Sequence, residues 1–223
     1  MIEKSLIICY STPNYEKLTK LFKSSLLSIG VKIENIEHYL DEQFSMNDEK
    51  TGFESQLWYN CVLKKHKYLI DILEQHKSYE FYIFSDCDIW FLENKEEFWN
   101  SLEKHINQSK HDIFFMRERL KRDVNSGFII IKNNANLQVF IDFFKKIYEI
   151  MLTNFSEGKY SGNQILINKY KAEINFGFIP NEYIIWGKII FNKQKALLHH
   201  AVCCKDVEDK LTQIQFIKNK IKK

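Results

Sequence analysis

Tyr79-Glu80-Phe81-Tyr82-Ile83-Phe84, followed at once by Ser85-Asp86-Cys87-Asp88, is the stretch that decides the fold of this chain. Residues 79–84 form an apolar run that reads as a buried strand, and it stops on two carboxylates one residue apart. Acidic side chains just past a strand's carboxyl end stand where open α/β sheets bind their ligands. Paired there, they offer hard oxygen donors to a divalent cation such as magnesium, manganese or calcium. An isolated Asp-x-Asp is usually a solvated loop, so this one draws its weight from its position and from what surrounds it.

Working outward toward the N-terminus, 6–10 (Leu-Ile-Ile-Cys-Tyr) reads as a first buried strand. Ser11-Thr12-Pro13-Asn14 breaks it and opens a helix through Leu18, Leu21, Phe22, Ser25 and Leu26. Gly30 ends that helix, 32–37 reads as a second strand, and 41–52 is polar and reads as a loop. Trp58, Cys61, Val62, Leu69, Ile72 and Leu73 predict one or two helices within 53–76. Toward the C-terminus the pattern predicts a helix at 95–105 and strands at 112–116 and 126–132. An amphipathic helix follows through Leu137, Phe140, Ile141, Phe144, Tyr148 and Met151, then a helix at 161–170. Short strands are expected at 176–179 and 196–198. Val207, Leu211, Ile214, Ile217 and Ile221 predict a last helix, with Lys218, Lys220, Lys222 and Lys223 near its negative end. Strands alternating with helices predict one α/β domain with a mainly parallel sheet covered on both faces.

Composition narrows the function classes. The 223 residues are 45% hydrophobic and 15% aromatic, which suits a globular domain with a full core. A net charge of +3 is too small a bias to argue for nucleic acid or a membrane surface. No apolar run approaches the ~20 residues of a membrane span, and Met1-Ile2-Glu3-Lys4 does not read as a signal peptide. A cytoplasmic protein is therefore expected. Five cysteines, an odd number with Cys203 and Cys204 adjacent, read as free thiols rather than a disulfide framework, and no Cys-x-x-Cys supports zinc.

Other clusters bear on chemistry. Leu197-Leu198-His199-His200-Ala201 puts two histidines at the end of a late strand, where alternation lets only one face a site beside Asp86 and Asp88. One imidazole added to two carboxylates tilts the metal toward manganese. Asn125-Ser126-Gly127-Phe128 leads into a strand, and Gly162-Asn163-Gln164 opens a helix whose amides could meet a sugar. All three arginines, Arg117, Arg119 and Arg122, fall in one short stretch, which suits either an anion site or a solvated loop.

Taken in order, Ser-Asp-x-Asp-x-x-Trp, Asn-Ser-Gly-Phe, an amide pair opening a helix, Leu-His-His-Ala and a late Lys resemble the landmarks of GT-A fold nucleotide-diphosphosugar transferases. The resemblance runs from Leu6 to Lys210 and implies a single Rossmann-like GT-A domain. Its nucleotide-binding part would span about 1–90, its sugar and acceptor part about 91–204, and a C-terminal helix about 205–223. It implies a manganese or magnesium ion on Asp86, Asp88 and His200, with His199 as the fallback ligand. Cys9, Tyr10, Ser11 and Tyr15 would hold the nucleobase. Lys67 (with Lys64 and Lys65 as close competitors), Asp86, Cys87, Asn125 and Lys210 would complete the donor site. Asp86, Asn163 and Gln164 would stand nearest the chemistry. The implied reaction moves a sugar from a nucleoside-diphosphate sugar, with uracil the expected base, to a glycan or protein acceptor. Gln164 points to retention.

One departure stands out. Asn163-Gln164 occupies a place where relatives read Asp-Gln, and an amide carries no charge at neutral pH. Glu118, Asp123, Glu182 and Asp206 are the carboxylates that could compensate. Two alternatives follow: a non-catalytic sugar-nucleotide or glycan-binding protein of the same fold, and a phosphatase of the haloacid-dehalogenase type. The latter also uses a strand followed by Asp-x-Asp, but near the N-terminus and with Thr or Val where Trp90 stands here.

Overall fold

The computed structural model describes residues 1–43, 55–75, 78–119 and 122–222. Its elements in chain order are β1 (Ser5–Ser11), α1 (Glu16–Ser28), β2 (Ile36–Leu40), α2 (Gln56–Gln75), β3 (Phe81–Ser85), β4 (Ile89–Phe91), α3 (Glu96–Gln108), β5 (Ile113–Arg117) and β6 (Val124–Lys132). They continue with α4 (Leu137–Ser156), α5 (Asn163–Tyr170), β7 (Phe176–Phe178), β8 (Ile184–Trp186), β9 (Ile189–Ile190), β10 (Leu198–His200) and α6 (Val207–Lys222).

The central sheet has the order β2-β1-β3-β6-β5-β7. It is mainly parallel, since β6 alone runs against its neighbours β3 and β5. Both faces are covered, and this is why β1 and β3 read as unbroken apolar runs. Alternate residues feed two cores. Ile7, Cys9, Phe81 and Ile83 join Phe22 and Leu26 of α1 and Trp99, Leu102 and Ile106 of α3. Leu6, Ile8, Tyr82 and Phe84 join α2, α4 and α5 on the other face.

A second sheet has the order β4-β10-β8-β9. The sequence pattern does not predict β4, β8 or β9, which are two or three residues long and too short to show a period. This small sheet assembles the site. β4 starts directly after Asp88 and pairs antiparallel with β10, His200 standing opposite Ile89. The Ala201 N–H then donates to the Asp88 carbonyl at 3.0 Å.

Two strand boundaries move from their expected places. The second strand is Ile36–Leu40 rather than 32–37, with Ile33–Asn35 forming a 3-10 turn. Of the two isoleucines in the expected stretch, Ile33 is exposed while Ile36 pairs with Ile7 of β1. The late strand is Leu198–His200 rather than 196–198, because its partner β4 selects those residues. Residues 53–76 hold one helix where they are described. Most of the loop expected at 41–52, and residues 53, 54 and 76, lie outside the described residues, as does Lys223.

Candidate active site

The Asp86 N–H donates to the Gly127 carbonyl at 2.8 Å, tying the end of β3 to β6. One carboxylate oxygen of Asp86, one of Asp88 and a ring nitrogen of His200 all lie within 4.8 Å of one another. His200 Nε2 stands 3.2 Å from Asp88 Oδ1 and 3.9 Å from Asp86 Oδ2. The ring is buried and held edge-on by Trp186 at 5.4 Å. Asp88 Oδ1 is buried yet makes no hydrogen bond, despite its closeness to the imidazole. A buried acceptor without a donor is costly. Here it faces the Asp86 carboxylate and the His200 imidazole, and the three together make a donor set that fits manganese or magnesium.

His199 takes the opposite direction. Its Nε2–H donates to the Gly187 carbonyl at 2.9 Å, and burial pushes its pKa down to about 4. It is a neutral core residue, and strand alternation turns His200 to the carboxylates.

Two lysines close the cluster. Lys65 from α2 pairs with Asp86, and Lys210 from α6 donates to Asp88 Oδ2 at 2.5 Å and to the Tyr15 hydroxyl at 3.1 Å. Burial disfavours both charges of the Asp88–Lys210 pair. Lys210 and His200 nonetheless hold the Asp88 carboxyl well below the usual range, and Asp88 holds the Lys210 ammonium above its own. Lys67, the residue singled out on α2, pairs with Asp71 on the helix surface. Lys64 reaches Asp41 at 2.9 Å, which leaves Lys65 as the α2 lysine against the carboxylate pair.

At the end of β1, the Tyr10 hydroxyl donates to Asp41 Oδ2 at 2.6 Å, and its ring stacks on Tyr39 at 5.6 Å. Ser11 Oγ lies 2.7 Å from His38 Nε2. Cys9 is fully buried on the core face of β1, so its thiol lines no surface, and Cys87 packs its own thiol on the Tyr10 carbonyl at 3.4 Å. Asp41, unnoticed in the sequence, is a buried carboxylate at the end of β2. Its one sequence signal is that place beside β1's end.

Asn125, Ser126 and Gly127 on β6 meet Asn163 and Gln164 at the start of α5. Gln164 Oε1 accepts from Ser126 N and from Asn125 Nδ2, each at 3.1 Å, and Ser126 Oγ reaches Asn163 Oδ1 at 3.4 Å. Glu118 Oε2 accepts from Asn125 Nδ2 at 2.8 Å and Gln164 Nε2 at 3.0 Å. Gly127 joins this wall to the carboxylates. A Cβ added there would fall 2.7 Å from His200 Cε1 and 2.8 Å from Asp86 Oδ2. Of the three arginines, the Arg117 guanidinium lies over the Phe178 ring at 3.9 Å, Arg119 reaches the Cys203 sulfur at 2.8 Å, and the backbone carbonyl of Arg122 accepts from Lys171 at 2.9 Å.

This fold, with a carboxylate pair at the end of β3 answered by a late histidine, defines a class of transferase. The chain belongs to the nucleotide-diphospho-sugar transferase family, whose family model matches residues 22–214. Among solved structures it resembles GT-A glycosyltransferases. One is a glycosyltransferase involved in glycosylating the major capsid of PBCV-1, 13% identical with a TM-score of 0.60, covering 93% of this chain and 98% of that one. Another is GlyE of Streptococcus pneumoniae TIGR4, 10% identical with a TM-score of 0.58, covering 97% of this chain and 65% of that one. A third is the galactosyltransferase LgtC, solved with donor and acceptor sugar analogs, 11% identical with a TM-score of 0.51, covering 96% of this chain and 95% of that one. No curated protein matches the chain by sequence. Family membership sets aside the haloacid-dehalogenase reading. Among the described residues no helix is long and apolar enough to cross a membrane.

Proposed function

We propose that this protein is a divalent-metal-dependent glycosyltransferase that moves a sugar from a nucleoside-diphosphate sugar, with UDP as the carrier, to a glycan or protein acceptor with retention. The observation that carries this reading is the convergence of Asp86, Asp88 and His200 around an unsatisfied Asp88 oxygen. Those three residues would hold manganese or magnesium, which when bound supplies positive charge against a departing diphosphate. Lys65 and Lys210 bring two further cations to the same place and would take the phosphate oxygens as they leave the carboxylates. The ends of β1 and β2, with Tyr10, Ser11 and Tyr15, would receive the nucleobase and ribose. The nucleotide half is thus about 1–90, and the sugar and acceptor half, with Asn125, Asn163 and Gln164, about 91–204. LgtC, solved with analogs of both substrates, supports a donor and an acceptor meeting on such a fold. The five free thiols suit a reducing compartment, hence a cytoplasmic enzyme.

Asn163 supports a second reading, a binding protein that holds a sugar nucleotide without turnover. Calorimetric titration of nucleoside diphosphates with and without manganese, followed by a screen of sugar-nucleotide hydrolysis, separates the two. The transferase reading expects manganese-dependent binding of one nucleotide and turnover of one of its sugars. Binding without turnover in the presence of candidate acceptors would favour the second reading, and no binding would remove both.

A further inference from the structure

We infer that Glu118 is the positioning residue of the sugar pocket: its carboxylate, opposite the Ser126 and Gly127 N–H groups, holds the NH2 ends of the Asn125 and Gln164 amides in place. The inference rests on the transferase reading for its meaning but not for its geometry. Of the four carboxylates available to offset the neutral Asn163, three are engaged elsewhere. Asp123 pairs with Lys171, Glu182 with Lys195, and Asp206 accepts from the Asp209 N–H at the start of α6. Glu118 alone of the four touches the pocket amides, and it touches two of them through one oxygen.

An ionised carboxylate only accepts, so both amides must turn their NH2 ends toward it. The Ser126 and Gly127 N–H groups only donate, so they require the carbonyl ends of Gln164 and Asn125, and these lie 3.1 Å and 2.9 Å away. The amide orientations are therefore set by an acceptor-only carboxylate on one side and donor-only backbone N–H groups on the other. Both hydrogens of Asn125 Nδ2 are spent, on Glu118 and on Gln164 Oε1. Gln164 Oε1 receives two donors and has no lone pair to spare. Among the described residues, one N–H of Gln164 Nε2 and the second oxygen of Glu118 take no partner, which leaves the wall a donor and an acceptor to offer a sugar. Such a pair fits a hydroxyl, which gives and takes one hydrogen bond each. In this arrangement Gln164 meets the substrate through its nitrogen, and negative charge on this wall comes from Glu118 rather than from position 163.

The test has two arms. In the metal-free, nucleotide-free chain, 15N spectra of the side-chain amides should show the Asn125 and Gln164 resonances, assigned with Asn125→Asp and Gln164→Glu, moving in Glu118→Gln. Unmoved resonances would overturn the inference. In the second arm, Glu118→Gln should lower kcat for sugar transfer or donor hydrolysis about ten- to a hundredfold, the loss of charge-assisted hydrogen bonds. Manganese-dependent affinity for the nucleoside diphosphate alone should stay as in the wild type. Wild-type kcat would overturn the inference, and so would equal loss of kcat and nucleotide affinity, which marks a general structural role. Should Glu118→Gln fail to fold, Glu118→Asp keeps the charge and is expected to shift the same two resonances less. If the wild-type chain binds no nucleotide, the functional reading fails by itself and the amide spectra still decide on Glu118.

Discussion

Asp88 joins three roles in one side chain: a donor toward the proposed metal, the partner of a half-buried lysine and the neighbour of an imidazole. Replacing it by Ala would strand the Lys210 ammonium, a change worth roughly 3–5 kcal/mol of stability. Asp88→Asn is the cleaner probe, since it keeps the shape and removes the charge. Manganese-dependent binding of a nucleoside diphosphate should then fall below detection in calorimetry, and wild-type affinity would take Asp88 out of the metal site. The histidines should part company as their neighbours do. His200→Ala is expected to weaken metal affinity with a modest loss of fold. His199→Ala is expected to lower stability by roughly 2–4 kcal/mol in urea titrations, because it empties a packed core position and frees a buried carbonyl. On α2, Lys65→Ala should raise KM for the donor while Lys67→Ala leaves it unchanged. Equal effects in steady-state assays would show that the helix face, rather than the Lys65–Asp86 contact, matters.

The elements act through close approach. β6 brings Gly127 so near the carboxylates and His200 that no side chain fits between them. Gly127→Ala must push the imidazole or Asp86 aside, at roughly 1–3 kcal/mol of strain. Metal affinity should drop along with the melting temperature. A variant that loses stability but binds manganese as before would mean that β6 yields instead of the site. The pairing of β4 with β10 plays the complementary part, since it carries His200 to Asp88 from far along the chain. At this scale the sequence is least legible. The long buried strands and amphipathic helices were legible because a period needs several residues to declare itself. β4, β8 and β9 are two or three residues long and have none, and their partners rather than their own composition select them. Lys65 was obscured for a related reason: Lys64, Lys65 and Lys67 differ in direction only once α2 is packed.

For the molecule as a whole, pH reports on the buried histidines. His66 lies wholly inside, its Nε2–H donating to the Phe144 carbonyl at 2.9 Å, and burial pushes its pKa from 6.5 down to about 4. The unfolded chain takes up that proton near pH 6.5 and the folded chain refuses it until about pH 4. Its contribution is therefore complete above pH 6.5 and is lost as pH falls through that window, up to roughly 3 kcal/mol. His38 and His199 are lowered in the same sense. Urea midpoints should fall from pH 7 to pH 4.5, and less so in His66→Gln; equal falls in both proteins would remove His66 as a source. The linear chain by itself determined the α/β class, the strand that ends in Asp86-Cys87-Asp88 and the histidine pair destined for it, because apolar periodicity and ligand chemistry are local properties of sequence. Which histidine faces the carboxylates, which lysine meets them and that Glu118 orders the amides were decided only in the tertiary structure. Those contacts depend on strand register and helix rotation, which are set by packing between segments far apart in the chain.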